Sequence, residues 1–171
     1  MQLAIRKETA DDIPGIRKVV QAAFGCVGEA DLVDGLRASD ALTLSTVAVV
    51  ENRVVGHVAF SPVAIGGSNP ALALAPVAVA PDCQRQGIGS TLIRWGLEKC
   101  LRSGHQVVIV LGEPAYYSRF GFVAASLFGI GCPFPVPSEA FMVLDLSPGA
   151  ANEFRGTVCY HSAFGSVSPY E

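Results

Sequence analysis

A buried strand that runs into a glycine turn and re-emerges as a helix leaves few folds open to a chain. Residues 77–92 read V-A-V-A-P-D-C-Q-R-Q-G-I-G-S-T-L. The apolar run Leu72–Val79 predicts a strand buried on both faces. Gly87–Ser103 predicts a helix, with Ile93, Leu97, Cys100 and Leu101 on one stripe and Ile88 and Leu92 beside it. Arg102 suits its last turn and Gly104 ends it. Val107–Leu111 predicts a second buried strand. The span Leu72–Leu111 is therefore a β-α-β unit, a crossover that is right-handed and joins parallel strands. Pro76 lies inside the first strand and has no N–H for a ladder, which predicts a local bulge or splay there.

Patterns elsewhere fit one α/β domain over residues 1–171, with a core in 1–146 and a C-terminal extension in 147–171. Leu3 and Ile5 alternate with polar neighbours as in a half-buried strand. Thr9, Asp11 and Asp12 suit a helix start, Pro14 fits its first turn, and Gly25 and Gly28 break the helix. Glu29–Ser39 predicts a second helix. Thr43–Glu51 and Arg53–Val63 read as a hairpin, and residues 64–70 as a loop. A short helix at Pro114–Arg119, a strand at Phe141–Leu146 and another at Gly156–Tyr160 complete the pattern.

Composition bounds the function. Of 171 residues, 50% are hydrophobic and 16% are charged, enough for a sizeable core. A formal net charge of -3 argues against a nucleic-acid partner, which selects a basic face. No apolar stretch reaches the ~18 residues that a membrane span needs, so no membrane partner is expected. The N-terminus lacks a signal-peptide layout, and a cytoplasmic location is expected. Cys26, Cys83, Cys100, Cys132 and Cys159 are scattered, without C-x-x-C or zinc spacing. Free thiols and no metal are expected.

Glycine at 87 and 89 lets a backbone approach a ligand closely. The free N–H groups at the following helix start would hold an anion, and a phosphate is the natural candidate. The plain alternative is an ordinary strand-to-helix turn. A P-loop is excluded, because G-x-x-x-x-G-K-[ST] is absent. G-x-G-x-x-G fails at Leu92, and G-H-Q-V-V-I-V supplies no ribose-binding acid.

The remaining pattern, strand, proline, then Q-x-x-G-x-G through Gln84, Gly87 and Gly89, resembles the GNAT superfamily of acyl-CoA-dependent N-acetyltransferases. A second motif agrees: Y-S-R-F-G-F matches the family's Y-x-x-x-G-F with Tyr117, Gly121 and Phe122. The wider string G-E-P-A-Y-Y-S-R-F-G-F, followed by C-P-F-P-V-P, resembles the YhbS-like bacterial branch. The resemblance implies a GNAT fold, a mixed twisted sheet of six or seven strands with helices on both faces. It implies that Gln84, Arg85, Gln86, Gly87, Ile88, Gly89 and Ser90 hold the pyrophosphate of acetyl-CoA. Val77, Ala78 and Val79 would pair with its pantetheine arm, which enters the splay at Pro76. Arg85 is equally read as a solvated turn residue.

Carried over by motif, Tyr117 is the acid that protonates the departing thiolate, and the Val79 N–H polarises the thioester carbonyl. The base is less legible. Neither Leu72–Val79 nor Val107–Leu111 holds the strand glutamate of many relatives. Glu113 is the first acid beyond them, and is read either as the base or as a helix cap at Pro114. His57 lies on a strand, where a lone histidine is more often simply hydrogen-bonded. Val110 stands where some relatives carry an asparagine that orients the cofactor arm.

The expected acceptor is a small-molecule or peptide amine, bound between Phe24–Leu36 and the loop Gly129–Pro137. A homodimer is a further candidate assembly. The expected activity is acetyl transfer from acetyl-CoA to a primary amine. The alternatives are a catalytically silent acyl-CoA-binding module that regulates a partner, and a nucleotide-binding α/β domain without CoA.

Overall fold

The computed structural model describes residues 2–67 and 69–167. In chain order it contains β1 (Leu3–Lys7), α1 (Ile13–Phe24), α2 (Gly28–Ala38), β2 (Leu44–Val50), β3 (Arg53–Ile65) and β4 (Asn69–Val79). Then follow α3 (Ile88–Arg102), β5 (Val107–Leu111), α4 (Pro114–Tyr117), β6 (Val123–Ala124), β7 (Ile130–Gly131), β8 (Phe141–Asp145) and β9 (Gly156–Cys159). The sheet order is β1-β2-β3-β4-β5-β8-β6, with β9 on β3 and β7 on β9. β4–β5 and β7–β9 are parallel, and the other pairs are antiparallel. The sheet has nine strands among the described residues, against six or seven expected. β6 and β7 are two residues each, too short to show a period.

The apolar runs are explained by burial on both faces. On β5, Val108 and Val110 join one core with Leu92 and Ile93 of α3. Val107 and Ile109 join a second core with Leu32 and Leu36 of α2. Helices therefore cover both faces, as the uniform hydrophobicity of this strand requires. Each such side chain contributes about 1.5–3 kcal/mol on full burial. Leu101 departs from the expected stripe, which ends at Cys100: Leu101 is 46% exposed. The predicted loop 64–70 is shorter than expected, because β3 runs to Ile65 and β4 begins at Asn69. Phe154, Val158 and Phe164 enter the second core, so the described part of the C-terminal stretch is packed into the domain's interior. Among the described residues no helix is long and apolar enough to cross a membrane.

The expected splay at Pro76 is present. β4 pairs with β5 only through Leu72↔Val108 and Ala73↔Ile109. On its other side β4 stays on β3 as far as Val79↔Gly56, while β5 stays on β8 as far as Leu111↔Phe141. The two strands therefore part beyond Ala73. Pro76 lies in the parting stretch, opposite a register shift between Val58 and Phe60.

His57 is fully buried on β3, with Nε2 2.8 Å from Ser45 Oγ. Burial pushes its pKa down to about 4. The unfolded imidazole takes its proton near ~6.5. Between these values the unfolded chain binds more protons, so stability falls as pH drops through that window. We expect a loss of about 2–3 kcal/mol from this group between pH 7 and pH 4. Urea unfolding at both pH values checks this: the loss should be smaller in His57→Gln than in wild type.

Candidate functional site

Three parts of the chain meet around the splay. The first is the glycine turn. After β4 the chain makes a single turn at Pro81–Cys83 and enters α3 at Ile88. Gln84 Nε2 donates to the Val79 carbonyl at 3.0 Å, tying the turn to the strand end. Gly87 is left-handed at φ 84, as is Arg85 at φ 60. Only glycine takes this conformation without steric cost. Among the described residues, the backbone amides of 84–90 have no acceptor, and the first helical bond runs from Thr91 N to Gly87 O at 3.0 Å. A row of free donors at the positive end of a helix is an anion site.

The second part is the open edge of β4. Ala80 N donates to Val55 O at 2.8 Å, so Ala80 bonds toward β3. Backbone groups alternate along a strand, so Ala78 also bonds toward β3, while those of Val77 and Val79 point away from it. The Val79 carbonyl on that outer side is the one that Gln84 engages. The Val77 and Val79 amides thus face the gap where β5 has departed. Of the three residues named from the sequence, Ala78 turns its backbone to β3, and its side chain is 2% exposed in the core.

The third part is Tyr117, at the end of α4. It lines a cleft of about 390 Å³ together with Ala73–Val77 of β4 and Ile109–Leu111 of β5. Its ring meets Phe122 edge-on at 5.8 Å and Tyr116 at 5.1 Å. Burial, with a smaller contribution from Tyr116, pushes its pKa up to about 12. The phenol therefore stays protonated and able to donate. Gly112 makes room for it: a β-carbon there would fall 2.9 Å from Tyr117 Cδ2 and nearer still to Cε2. Gly112→Ala must therefore shift the ring. With Tyr117 in the role its motif implies, we expect kcat to fall about tenfold or more, since misplacing a reacting group by ~1 Å can cost 10²-fold. Steady-state kinetics check it.

Glu113 also lines the cleft. Its carbonyl accepts the amides of Tyr116 (3.1 Å) and Tyr117 (3.0 Å), but its carboxylate makes no capping bond. The residue is exposed at the cleft's edge, and its carboxylate does not hold the helix start. His57 does not line the cleft. Val110 lies in the cleft wall with its side chain in the core, so no side-chain amide is present at that position. Arg85 is exposed in the turn. Arg119 stacks over Tyr116 at 4.4 Å, and the Tyr116 hydroxyl is 3.4 Å from Ser90 Oγ. Tyr116 thus touches the start of α3 through its hydroxyl and carries Arg119 on its ring face.

Glu29 was not singled out by the sequence, yet it lines the cleft from the first turn of α2. It accepts from Cys26 Sγ at 3.3 Å. Phe24 and Leu32, from the expected acceptor segment, line the same cleft, as does Phe134 from the Gly129–Pro137 loop. Tyr160 and Phe164 join them from a C-terminal stretch that the family motifs do not reach.

Comparisons with known proteins bear on the family and the fold. The family model described as "Acetyltransferase (GNAT) family" matches residues 16–122. The uncharacterized N-acetyltransferase YhbS of Escherichia coli K12 is 39% identical over 164 residues, covering 95% of this chain and 98% of the relative. The crystal structure of E. coli YhbS in complex with CoA matches with a TM-score of 0.93 at 38% identity, over 96% of this chain and 93% of that one. A GNAT family acetyltransferase from Brucella melitensis, solved with acetyl-CoA, matches at 0.82 and 40% identity, over 95% and 98%. With its parted strands, its donor-rich helix start and these relatives, the chain belongs to the GNAT family of acetyltransferases, and within it resembles YhbS.

Proposed function

We propose that this chain transfers an acetyl group from acetyl-CoA to a primary amine by direct attack. One observation carries the proposal. The outward amides of Val77 and Val79 lead from the cleft that holds Tyr117 to the unbonded amides of residues 84–90. These are two groups of free donors, one on the strand edge and one at the helix start, suited to an extended substrate with a pyrophosphate at one end and a thioester at the other.

In this reaction the amine nitrogen bonds to the thioester carbon and the carbon–sulfur bond breaks. The Val79 amide stabilises charge on the carbonyl oxygen. Tyr117 gives its proton to the leaving sulfur, and a carboxylate takes the proton lost by the amine. Glu113 and Glu29 are the acids that line the cleft. The silent acyl-CoA-binding alternative draws on the absence of a carboxylate from the facing strands. These two acids weaken it by supplying the missing group from α2 and from the end of β5.

Thiol release from acetyl-CoA over a panel of primary amines tests the proposal. We expect at least one amine to raise the rate well above background hydrolysis, with the N-acetyl product visible by mass spectrometry. Tight acetyl-CoA binding with no product from any amine would favour the silent module.

A further inference from the structure

We infer that the acceptor is a cationic amine on an apolar, aryl-sized body that carries no anionic group. This rests on the acetyl-transfer proposal above and narrows its substrate class. Besides Tyr117, four aromatic side chains line the cleft, Phe24, Phe134, Tyr160 and Phe164, together with aliphatic Leu32 and Val167. Its charged groups are Glu29 and Glu113, both acidic, and among the described residues no lysine, arginine or histidine lines it. Burial raises the Tyr160 phenol above its ordinary pKa, so that ring adds no charge. The neighbouring His161 directs Nδ1 to the Ala163 amide at 3.0 Å, outside the cleft lining.

Each feature acts on the acceptor. A carboxylate attracts an ammonium, and aromatic faces favour a cation and an apolar body together. An α-amino acid would bring its own carboxylate into the same space. That anion would meet two like charges and no basic partner, and an unpaired charge in an apolar site is costly. A phosphorylated amine fails for the same reason. A linear polyamine leaves the aromatic wall without an apolar partner. Glu29 is the residue on which the discrimination turns, because it stands half-buried on the aromatic side.

The experiment compares matched pairs: phenethylamine with phenylalanine, and tryptamine with tryptophan, assayed by thiol release at saturating acetyl-CoA. In each pair the member without the carboxylate should have kcat/KM about 100-fold higher, since buried unpaired charge is strongly rejected. Glu29→Gln, checked for folding by its thermal transition, should raise KM for the amines and narrow the gap within each pair. Equal or better use of the amino acids would overturn the inference. So would rejection of both amines by protein that binds acetyl-CoA. Calorimetric binding of acetyl-CoA is measured alongside, and its absence would instead strike the acetyl-transfer proposal itself.

Discussion

Tyr117→Phe should lower kcat by about 10²–10³ while leaving the KM for acetyl-CoA within about threefold, as loss of a positioned general acid does. The substitution removes one oxygen and keeps the ring that packs on Phe122 and fills the space beside Gly112. The fold should not notice it. The pH profile adds a second test. Burial raises the phenol to about 12, so the acid is protonated below that value and lost only above it. Wild-type activity should therefore show no alkaline fall attributable to Tyr117 up to about pH 11. A kcat within twofold of wild type for Tyr117→Phe would remove it from the chemistry.

Gly87→Trp should weaken acetyl-CoA binding by about 100-fold or more, because bulk in front of the free amides blocks the approach of a phosphate. A β-carbon at Gly87 meets no heavy atom within 4 Å, so the side chain has room in the free protein. The remaining cost is conformational. At φ 84 a non-glycine residue costs about 1–2 kcal/mol. For a chain of this size that lowers Tm by several degrees, not enough to unfold it. Gly87→Ala separates the two effects, since it carries the same strain with little bulk. It should retain much more affinity than the tryptophan variant. Calorimetry and thermal unfolding on all three proteins check this.

The site was partly legible because its backbone parts leave local marks. Gly87 announces the left-handed turn before α3, Gly89 lies inside the helix where a β-carbon would crowd the Tyr116 hydroxyl, and Pro76 announces a strand that cannot keep its ladder. The marks at Gly87 and Pro76 sit within a few residues of what they do. Tyr117 was legible through its motif, though its cause was not: the space it occupies depends on Gly112, which says nothing until the ring is seen against it. The acceptor side was hidden for a different reason. Glu29, Phe134, Tyr160 and Phe164 come from segments far apart in sequence, and only folding brings them to one cleft. Glu29 reads as an ordinary first-turn acid of a helix. β6 and β7 exist through pairing with β8 and β9, so two-residue strands left no periodic signal. The exposure of Leu101 shows the same limit, because helical spacing marks a stripe and not where the neighbouring sheet stops.

We propose that the parted β4 edge and the α3 start form one grip for acetyl-CoA. The direct test is a titration of the 15N-labelled protein with CoA, followed through its backbone amide resonances. The amides of residues 84–90, Val77 and Val79 should shift most, while that of Ala78, bonded toward β3, should shift less. Saturating CoA that leaves the 84–90 amides in place would contradict the claim, and the glycine turn would then be only a turn.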